Sequence, residues 1–457
     1  MFRLVILIGL AALASALPGA VRAGDWTLET VENAYSSFQV YSPSIAVDPS
    51  GVPHVTYWGP YLGFRYASRT GASWNIESIQ ASVPLAAGAR PASAQLVNVW
   101  TTSLAIDAQG HPHVAVSNSN FDSYQIDYWS RDAQGWSKET PGTVYGGFPC
   151  LALDSQGEPR IAARMRYAFA PELLTRDAGI WSVDALSGLG NSYALSLAID
   201  AQDRPQVACS ASGLLGHLWR DAGQWRSEVV DSTSPGACSI AAGPGGVLGI
   251  AYIVYSPAQL RYAERGPAGW TIETVAWGNP KMLSLACDRH GEPRIAFYDD
   301  DTHTLRYASR HAGAWAVATV DSGAYFGDLD LALDAQGVPH IAYDDYGLDR
   351  IRYARGVSTT DVSPVAPALR PALALAPNPA RVGGALSLTL ALPAPDWAAF
   401  EVYDLSGRRV AVRPLEWLGA GRATRTWDPG LGRPGLYMVR WWTGSGATGA
   451  SRLAVLR

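Results

Sequence analysis

The chain has 457 residues, a formal net charge of −5 and only 16% charged residues. This length exceeds one ordinary domain and suits a repeat structure followed by a small module. The acidic balance argues against a nucleic-acid binder, because such domains usually carry a basic surface.

The N-terminus has the pattern of a secretory signal peptide over residues 1–23. Arg3 supplies the positive charge, residues 4–14 form an apolar core, and residues 21–23 make a small-residue cleavage site, with residues 14–16 as the alternative. The apolar run is too short for a membrane-spanning helix, and no other stretch is long and apolar enough to be one. The sequence therefore predicts export, either into the medium or to the outer cell surface.

A repeat with a period of about 46 residues follows. Each copy has a short apolar strand, a turn and a second strand, as in residues 103–115. An aspartate ends the first strand in six copies, and Gly243 takes its place in the fifth. The copies begin at Ser44, Ser103, Cys150, Ser196, Ser239, Ser284 and Asp330. A four-stranded propeller blade needs about 40–50 residues, so these copies predict seven blades.

Each copy divides into four strands, A to D. Strand A is the apolar run that begins the copy, and we expect it to be buried on both faces near the ring centre. Strand B begins with proline in most copies, strand C reads Leu-Arg-Tyr-Ala, and strand D reads Trp-x-x-Glu-x-Val. The strand C tyrosines and strand D tryptophans recur about once per copy, and their predicted role is packing between blades.

The chain begins with a strand D that precedes every copy. Residues 26–31 read Trp-Thr-Leu-Glu-Thr-Val and nearly repeat residues 270–275, whereas the last copy stops at Arg355 without a strand D. We expect the N-terminal strand to pair beside strand C near Tyr353, which closes the ring and protects the sheet edges. The predicted fold of residues 24–356 is therefore all-β, a seven-bladed β-propeller closed by the N-terminal strand.

The composition changes after Arg355. Residues 357–376 are rich in Pro, Ala and Leu and predict a linker. Residues 377–457 predict a small β-sandwich, with alternating strands expected at 386–392, 399–403, 422–427 and 436–442.

The C-terminal module resembles the immunoglobulin-like sorting domains of the type IX secretion system. The matching motifs are Pro-Asn-Pro at 377–379, Val-Tyr-Asp-Leu-Ser-Gly-Arg-Arg-Val at 402–410, Pro-Gly-Leu-Tyr-Met-Val-Arg at 434–440 and the chain end at 452–457. The family usually has Lys near that end, where this chain has Arg452. The resemblance implies passage across the outer membrane by the type IX machinery, with release or surface attachment. The alternative is a structural sandwich without a sorting role.

The propeller copies resemble bacterial Pro-His-Ile-Ala-Tyr and Leu-Arg-Tyr-Ala repeats, which are similar to fucose-binding lectin propellers. Residues 339–343 and 305–308 carry the likeness. Lectins of that class have six blades and place Arg, Glu and Trp in pockets between blades. Here the count is seven, and Ala318 replaces the strand D glutamate of the sixth copy.

Cysteines and histidines give weak signals for chemistry. Cys150, Cys209, Cys238 and Cys287 lie in or beside inner strands, which favours buried thiols, and a Cys209–Cys238 bridge is the alternative. His54, His113 and His340 share one strand B position that is filled by Arg or Gln elsewhere, which favours a generic polar position over a zinc site. No cofactor is predicted. Calcium fits the aspartate runs chemically, but no regular twelve-residue loop is present.

The candidate ligand-binding residues lie in the variable B–C loops and D–A links, which share one rim of the ring. Function usually resides on such variable loops. Aromatic rings can stack on a sugar there while carboxylates accept its hydroxyls. The alternative is a solvated loop surface with satisfied turn aspartates. The candidates are Trp58, Tyr61, Phe121, Tyr124, Asp299, Asp300, Asp344 and Asp345.

These observations predict an exported binding protein, with carbohydrate as the favoured ligand class and extracellular proteins as further partners. We expect a monomer that contacts neither nucleic acid nor the membrane interior. The first alternative is a secreted polysaccharide-active enzyme, a glycoside hydrolase or lyase, that uses a carboxylate pair such as Asp299 and Asp344. The second is a protein–protein scaffold without a small ligand.

Overall fold

The computed structural model divides into two compact units, residues 1–364 and 365–457. It describes residues 26–33, 41–59, 63–80, 98–120, 123–141, 146–165, 171–186, 188, 192–311, 313–322, 326–356, 372–392, 396–418, 421–443 and 448–457. The predicted signal peptide and most of the predicted linker lie outside these ranges. None of the described residues belongs to a helix long and apolar enough to span a membrane.

The first unit contains seven four-stranded antiparallel sheets within the described ranges, and we number them 1 to 7 by the repeat copy that each contains. The A strands of sheets 1 to 7 are Tyr41–Val47, Asn98–Ile106, Gly146–Leu153, Ser192–Ile199, Pro235–Ala242, Pro280–Cys287 and Phe326–Leu333. The B strands are Pro53–Gly59, Pro112–Asn120, Pro159–Met165, Pro205–Ala211, Leu248–Tyr255, Pro293–Asp299 and Pro339–Asp345. The C strands are Gly63–Thr70, Ser123–Asp132, Pro171–Asp177, Leu214–Asp221, Ala258–Gly266, Thr304–His311 and Arg350–Arg355. The D strands are Ser73–Gln80, Gly135–Glu139, Ile180–Ala185, Gln224–Asp231, Gly269–Trp277, Ala314–Ser322 and, for sheet 7, Thr27–Asn33.

The sheets form a closed cycle. Strand A of each sheet contacts strand A of the next, and strand A of sheet 7 contacts strand A of sheet 1. This arrangement is that of a β-propeller. The N-terminal strand pairs with strand C of sheet 7 in the register Thr27↔Arg355, Leu28↔Ala354 and Glu29↔Tyr353. The predicted closure of the last sheet by the N-terminus is therefore confirmed.

An inner ring of hydrogen bonds joins consecutive sheets at the residues that begin the repeat copies. In each case a backbone N–H of one strand A donates to a side chain of the neighbouring strand A. The bonds are Leu104 to Ser44 (3.0 Å), Leu151 to Ser103 (2.9 Å), Ile240 to Ser196 (3.0 Å), Leu285 to Ser239 (3.1 Å), Leu331 to Ser284 (3.2 Å) and Ile45 to Asp330 (3.0 Å). Between sheets 3 and 4, the Cys150 thiol instead donates to the Leu195 carbonyl at 3.2 Å.

An outer ring of aromatic contacts confirms the predicted packing role of the repeated tyrosines and tryptophans. At six junctions, the strand D tryptophan of one sheet meets the strand C aromatic of the preceding sheet edge to face, a favourable geometry for ring pairs. The pairs are Trp74–Tyr353, Trp136–Tyr66, Trp181–Tyr128, Trp270–His217, Trp315–Tyr262 and Trp26–Tyr307, with ring centroids 5.1–5.5 Å apart. At the junction of sheets 3 and 4, Trp225 packs on an aliphatic cluster that includes Leu173.

Ion pairs reinforce several junctions beside these tryptophans. Glu139 of sheet 2 accepts from Nε and Nη2 of Arg176 at 3.0 Å each, and from the Trp181 indole N–H at 2.7 Å. Glu29, Glu77 and Glu228 are held in the same way by the next sheet, through Arg69 and Trp74, Arg131 and Trp136, and Arg265 and Trp270.

The strand that is buried most completely is B, not A, which corrects the sequence expectation. Every residue of Pro205–Ala211, Pro293–Asp299 and Pro339–Asp345 is buried. In contrast, buried and half-buried residues are mixed along Pro235–Ala242. The physical reason is position in the sheet: strand A is an edge strand with one hydrogen-bonded neighbour, whereas strand B is flanked on both sides.

The second unit is built from two sheets. One has the order Ala372–Ala376, Leu386–Leu392 and Gly421–Trp427, and the other has the order Ala380–Arg381, Thr448–Leu456, Gly435–Thr443, Asp396–Asp404 and Arg409–Leu418. Their inner faces bury two clusters, one around Val402 and Leu453 and one around Leu390 and Phe400. The segment 357–376 was expected to be a linker throughout, but its last five residues are a strand, because Leu373 and Leu375 alternate with alanine and pack on both clusters.

Candidate binding site

A buried polar pair marks the turn between strands A and B in six sheets. The aspartate that ends strand A accepts backbone N–H groups of its own turn, and its second oxygen meets the polar residue at the second position of strand B. In sheet 6, for example, Arg294 donates to Asp288 at 2.6 Å, and in sheet 4 Gln206 donates to Asp200 at 2.8 Å. This pairing occupies the aspartate and aligns the turn.

Histidine fills the strand B position in sheets 1, 2 and 7. In sheet 7, the two ring nitrogens of His340 lie 3.5 Å from Asp334 and 2.6 Å from the Tyr353 hydroxyl. Burial lowers the pKa of His340 to about 4, although its contacts with Asp334 oppose that change. His54 and His113 have the same partners in their own sheets. Over the part of the chain that the structure describes, no group of three or more His, Cys, Asp or Glu could hold a metal ion.

Sheet 5 lacks both members of the pair. Gly243 stands at the end of strand A, and Gly249 stands in strand B opposite Glu264. A side chain at position 249 would collide with the ring of Tyr262. The turn also has its own conformation, because both Gly245 (φ 73°) and Gly246 (φ 81°) adopt the left-handed region that glycine tolerates. This turn therefore presents backbone and no carboxylate.

A cavity of about 630 Å³ lies between the altered turn of sheet 5 and the turn of sheet 4. Its volume falls within the range of roughly 300–1,000 Å³ that is usual for small-molecule sites. Polar side chains line it from sheet 4, Arg265 lines it from sheet 5, and Val247, Leu248 and Pro267 add apolar surface. The sheet 4 side chains are Asp200, Gln202, Arg204 and Gln206. The cavity thus offers donors, acceptors and a small apolar area together.

Asp200 is the single acidic side chain among the lining residues of this cavity. It accepts from the backbone N–H groups of Gln202 (2.9 Å) and Arg204 (3.0 Å), and from the Arg204 and Gln206 side chains at 2.8 Å each. Burial alone would raise the pKa of Asp200, but the hydrogen bonds from Arg204 and the turn outweigh it and lower the pKa. Asp200 is therefore a fixed acceptor and not a proton donor at neutral pH.

Arg265 belongs to sheet 5, and side chains of sheet 4 hold it in place. Its Nε lies 3.3 Å from Glu228, and its guanidinium stacks 5.0 Å from the Trp219 ring centroid. Glu228 also accepts the Trp270 indole N–H at 2.9 Å. These contacts fix the direction of the guanidinium, and its side chain remains 38% exposed. A preorganised, partly exposed arginine is well suited to bind oxygen atoms of a ligand.

The cavity contains none of the candidate ligand-binding residues that the sequence analysis named. Trp58 packs with Phe64 and Leu104 between sheets 1 and 2 and is 8% exposed. Asp299 is 3% exposed and pairs with Arg306 at 3.0 Å, and the Nε of Arg350 donates to Asp345 at 3.0 Å.

Asp344 is 1% exposed, and burial raises its pKa well above the usual value. Asp300 lies 3.9 Å from Lys281. Tyr61 and Phe121 lie outside the described residues, and so does the side chain of Tyr124. Asp299, Asp344 and Asp345 lie at the ends of buried B strands, so their side chains are buried and are not available to a ligand.

The sequence feature that marks the cavity is a missing side chain and not a motif. Gly243 lines the cavity and carries no side chain where the other copies have aspartate, whereas the space beside Gly249 is filled by the Tyr262 ring. Aligning the copies column by column would have pointed to sheet 5. The cavity lies on the rim of the short A–B and C–D turns, opposite to the rim of variable loops that the sequence analysis favoured.

No protein-family model matches the chain, and no curated protein matches it. Solved structures with similarity to it include YCF48 bound to D1 peptide, with 15% sequence identity, coverage of 76% of this chain and 100% of that chain, and a TM-score of 0.46. A second is the Aleuria aurantia lectin, with a six-bladed β-propeller fold and fucose recognition, at 14% identity, 65% and 99% coverage, and a TM-score of 0.43. A third is the Hadza microbial sialidase Hz136, at 12% identity, 66% and 76% coverage, and a TM-score of 0.42. The propeller architecture of this chain is defined by its own strand order and ring contacts.

Proposed function

We propose that the protein is an exported carbohydrate-binding protein. In this proposal its first unit is a seven-bladed β-propeller that binds glycan in the cavity between sheets 4 and 5, and its second unit is a C-terminal sorting module. The observation that carries the proposal is the cavity itself, which opens where sheet 5 has lost the buried polar pair of the other copies.

The chemistry of the lining favours a hydroxyl-rich ligand. The exposed Gln202 amide can donate and accept, and Arg204 and Arg265 donate, which matches the mixed demands of sugar hydroxyls. Asp200 and Gln206 bond to each other and to their neighbours, and they hold the turn in place. Each arginine has a carboxylate partner, Asp200 or Glu228, so the charges around the cavity are balanced. A neutral ligand therefore needs no counter-charge there.

The same lining favours binding over hydrolysis. Glycoside hydrolysis uses two carboxyl groups on either side of the bond that breaks. The cavity has Asp200 alone, and its four hydrogen bonds hold it in the ionised form. Asp299 and Asp344, the pair of the enzyme alternative, are both buried.

A glycan array probed with the purified chain tests the proposal, followed by calorimetric titration of the best glycan. Arg265→Ala is expected to weaken binding at least roughly tenfold, because a charged hydrogen bond contributes about 1.5–3 kcal/mol. The matched control is Arg131→Ala, since Arg131 pairs with Glu77 at another junction and has the same 38% exposure. Equal loss in both variants, binding to no glycan, or product formation that Asp299→Asn or Asp344→Asn abolishes would each contradict the proposal.

Export is a separate part of the proposal and has its own experiment. In a bacterium with a type IX system, the full chain is expected at the cell surface or in the medium. A chain without residues 365–457 is expected to stay in the periplasm. Equal export of the two chains would contradict a sorting role for the second unit.

A further inference from the structure

A second cavity, of about 300 Å³, lies at the neighbouring junction between sheets 3 and 4. It opens on the same rim, because the A–B turn of sheet 4 and the C–D turn residues Ala222 and Gly223 line it. Its polar lining consists of Arg160, Thr175, Asp177, Asp203, Arg204 and Arg220.

This cavity also marks a departure from the repeat. Leu173 pairs with Ala162 at the register position that an aromatic residue fills in the other sheets, and it lines the cavity floor. The junction acid is also shortened, because Asp184 takes the place of the strand D glutamate and lies 3.3 Å from Arg220. A smaller side chain and a shorter acid leave space at the junction.

The turn of sheet 4 is the wall between the two cavities. Arg204 lines both of them, with its side chain 49% exposed and its Nε donating to Asp200 at 2.8 Å. Asp203 stands at a left-handed position (φ 58°), where other copies have glycine. Its carboxylate accepts the backbone N–H and the hydroxyl of Ser155 in sheet 3, at 2.8 and 2.6 Å. These bonds fix the wall internally and against sheet 3.

We infer that one extended glycan occupies both cavities and crosses the wall at Arg204. This inference rests on the proposed function and specifies its ligand as a linear oligosaccharide and not a single sugar. Each arginine of the second cavity also has a carboxylate partner, because Arg160 pairs with Asp154 and Asp177, Arg220 with Asp184 and Arg204 with Asp200. The ligand is therefore a neutral chain, whose adjacent units present hydroxyls to both lining sets.

Occupation of a second cavity by the same molecule adds affinity without a second loss of translational freedom. The chain is therefore expected to bind oligosaccharides of the selected glycan at least roughly tenfold more tightly than its single sugar unit. Calorimetric titration with a length series of that glycan measures the gain.

Leu173→Tyr fills the second cavity with the side chain that other copies have. The change has a precedent within the chain, since sheet 6 combines Arg294 with Tyr307 where sheet 3 combines Arg160 with Leu173. The Leu173→Tyr variant is expected to lose the gain in affinity that the wild type shows as the oligosaccharide becomes longer. Arg220→Ala, at a side chain 42% exposed, is a second variant that retains the core and is expected to reduce the same gain. The matched control is the reverse change Tyr307→Leu in sheet 6, which is expected to leave the gain intact.

The outcomes separate the two claims. Binding of no glycan at any length contradicts the proposed function. Binding of single units and longer chains with equal affinity overturns this inference alone, as does a length gain that both Leu173→Tyr and Arg220→Ala preserve. The inference is supported if affinity rises with glycan length in the wild type and in Tyr307→Leu, and if Leu173→Tyr and Arg220→Ala lose that rise.

Discussion

The backbone N–H of Ile45 donates to the carboxylate of Asp330 at 3.0 Å, which joins sheets 1 and 7 across 285 positions of sequence. The same carboxylate accepts the hydroxyls of Ser44 at 2.9 Å and Ser284 at 2.8 Å. Asp330 therefore completes the inner ring that serines form at most other junctions.

Asp330→Ala is expected to destabilise the propeller by about 3 kcal/mol, because it leaves three buried donors without an acceptor. Asp330→Ser restores the residue of the other copies and is expected to cost less. Urea unfolding of both variants at pH 7 provides the measurement. An alanine variant with the unfolding midpoint of the wild type would refute the role of Asp330.

The buried histidines are expected to make the propeller sensitive to acid. His340 has a folded-state pKa of about 4, against an ordinary value of 6.5, so the unfolded chain binds the proton more readily than the folded chain. Stability is then lost as the pH falls from 6.5 towards 4, by up to about 3 kcal/mol for this group. His340→Gln, which copies Gln206 of sheet 4, is expected to flatten the melting temperature over this interval. Parallel pH profiles for the variant and the wild type would argue against this account.

Asp344 is expected to make the protein less stable as the pH rises, which is opposite to the effect of His340. Burial and the neighbouring charge of Asp328 raise the pKa of Asp344, so the folded chain holds this proton more tightly than the unfolded chain. Stability is then lost as the pH rises from about 3.8 towards the raised pKa. Asp344→Asn is expected to raise the melting temperature at pH 7.

Asp345→Asn is the contrasting variant, because it removes one partner of the ion pair with Arg350. It is expected to destabilise the protein by about 1–3 kcal/mol. Thermal melts of both asparagine variants at pH 5 and pH 7 provide the measurement, and equal destabilisation by the two changes would be inconsistent with a raised pKa of Asp344.

All four cysteines are free thiols, and the Cys209–Cys238 bridge left open by the sequence is absent from the structure. Burial raises the pKa of Cys209 to about 12 and that of Cys238 well above its ordinary value. Because the thiolate is the reactive species, a maleimide reagent is expected to label these two thiols only after unfolding. Rapid labelling of the native protein, or a melting temperature that falls on adding reductant, would contradict free buried thiols.

The sequence predicted the ring well because each copy carries the same residues at the same spacing. Residues 26–31 nearly repeat 270–275, and that displaced copy indicated the pairing of the N-terminal strand beside strand C near Tyr353. Five of the six aromatic junctions follow from the recurrence of a Tyr and a Trp, and the sixth joins Trp270 to His217.

The candidate site was harder to predict because it depends on missing side chains. From the sequence, Asp299 and Asp345 were expected to be free to bind a ligand. In the folded sheets, Arg306 and Arg350 lie beside them and form ion pairs with them. The first cavity lies at Gly243 and the second at Leu173, where the repeat is interrupted, and such an interruption becomes visible only when the neighbouring turns are brought together.

The most direct test of the carbohydrate proposal is a crystal structure of the protein with the best oligosaccharide from the array. The account predicts sugar density between the turn of residues 200–204 and the turn of residues 243–247, with Arg204 and Arg265 in hydrogen-bond contact. Density on the opposite rim beside Asp300, with both cavities empty, would contradict it.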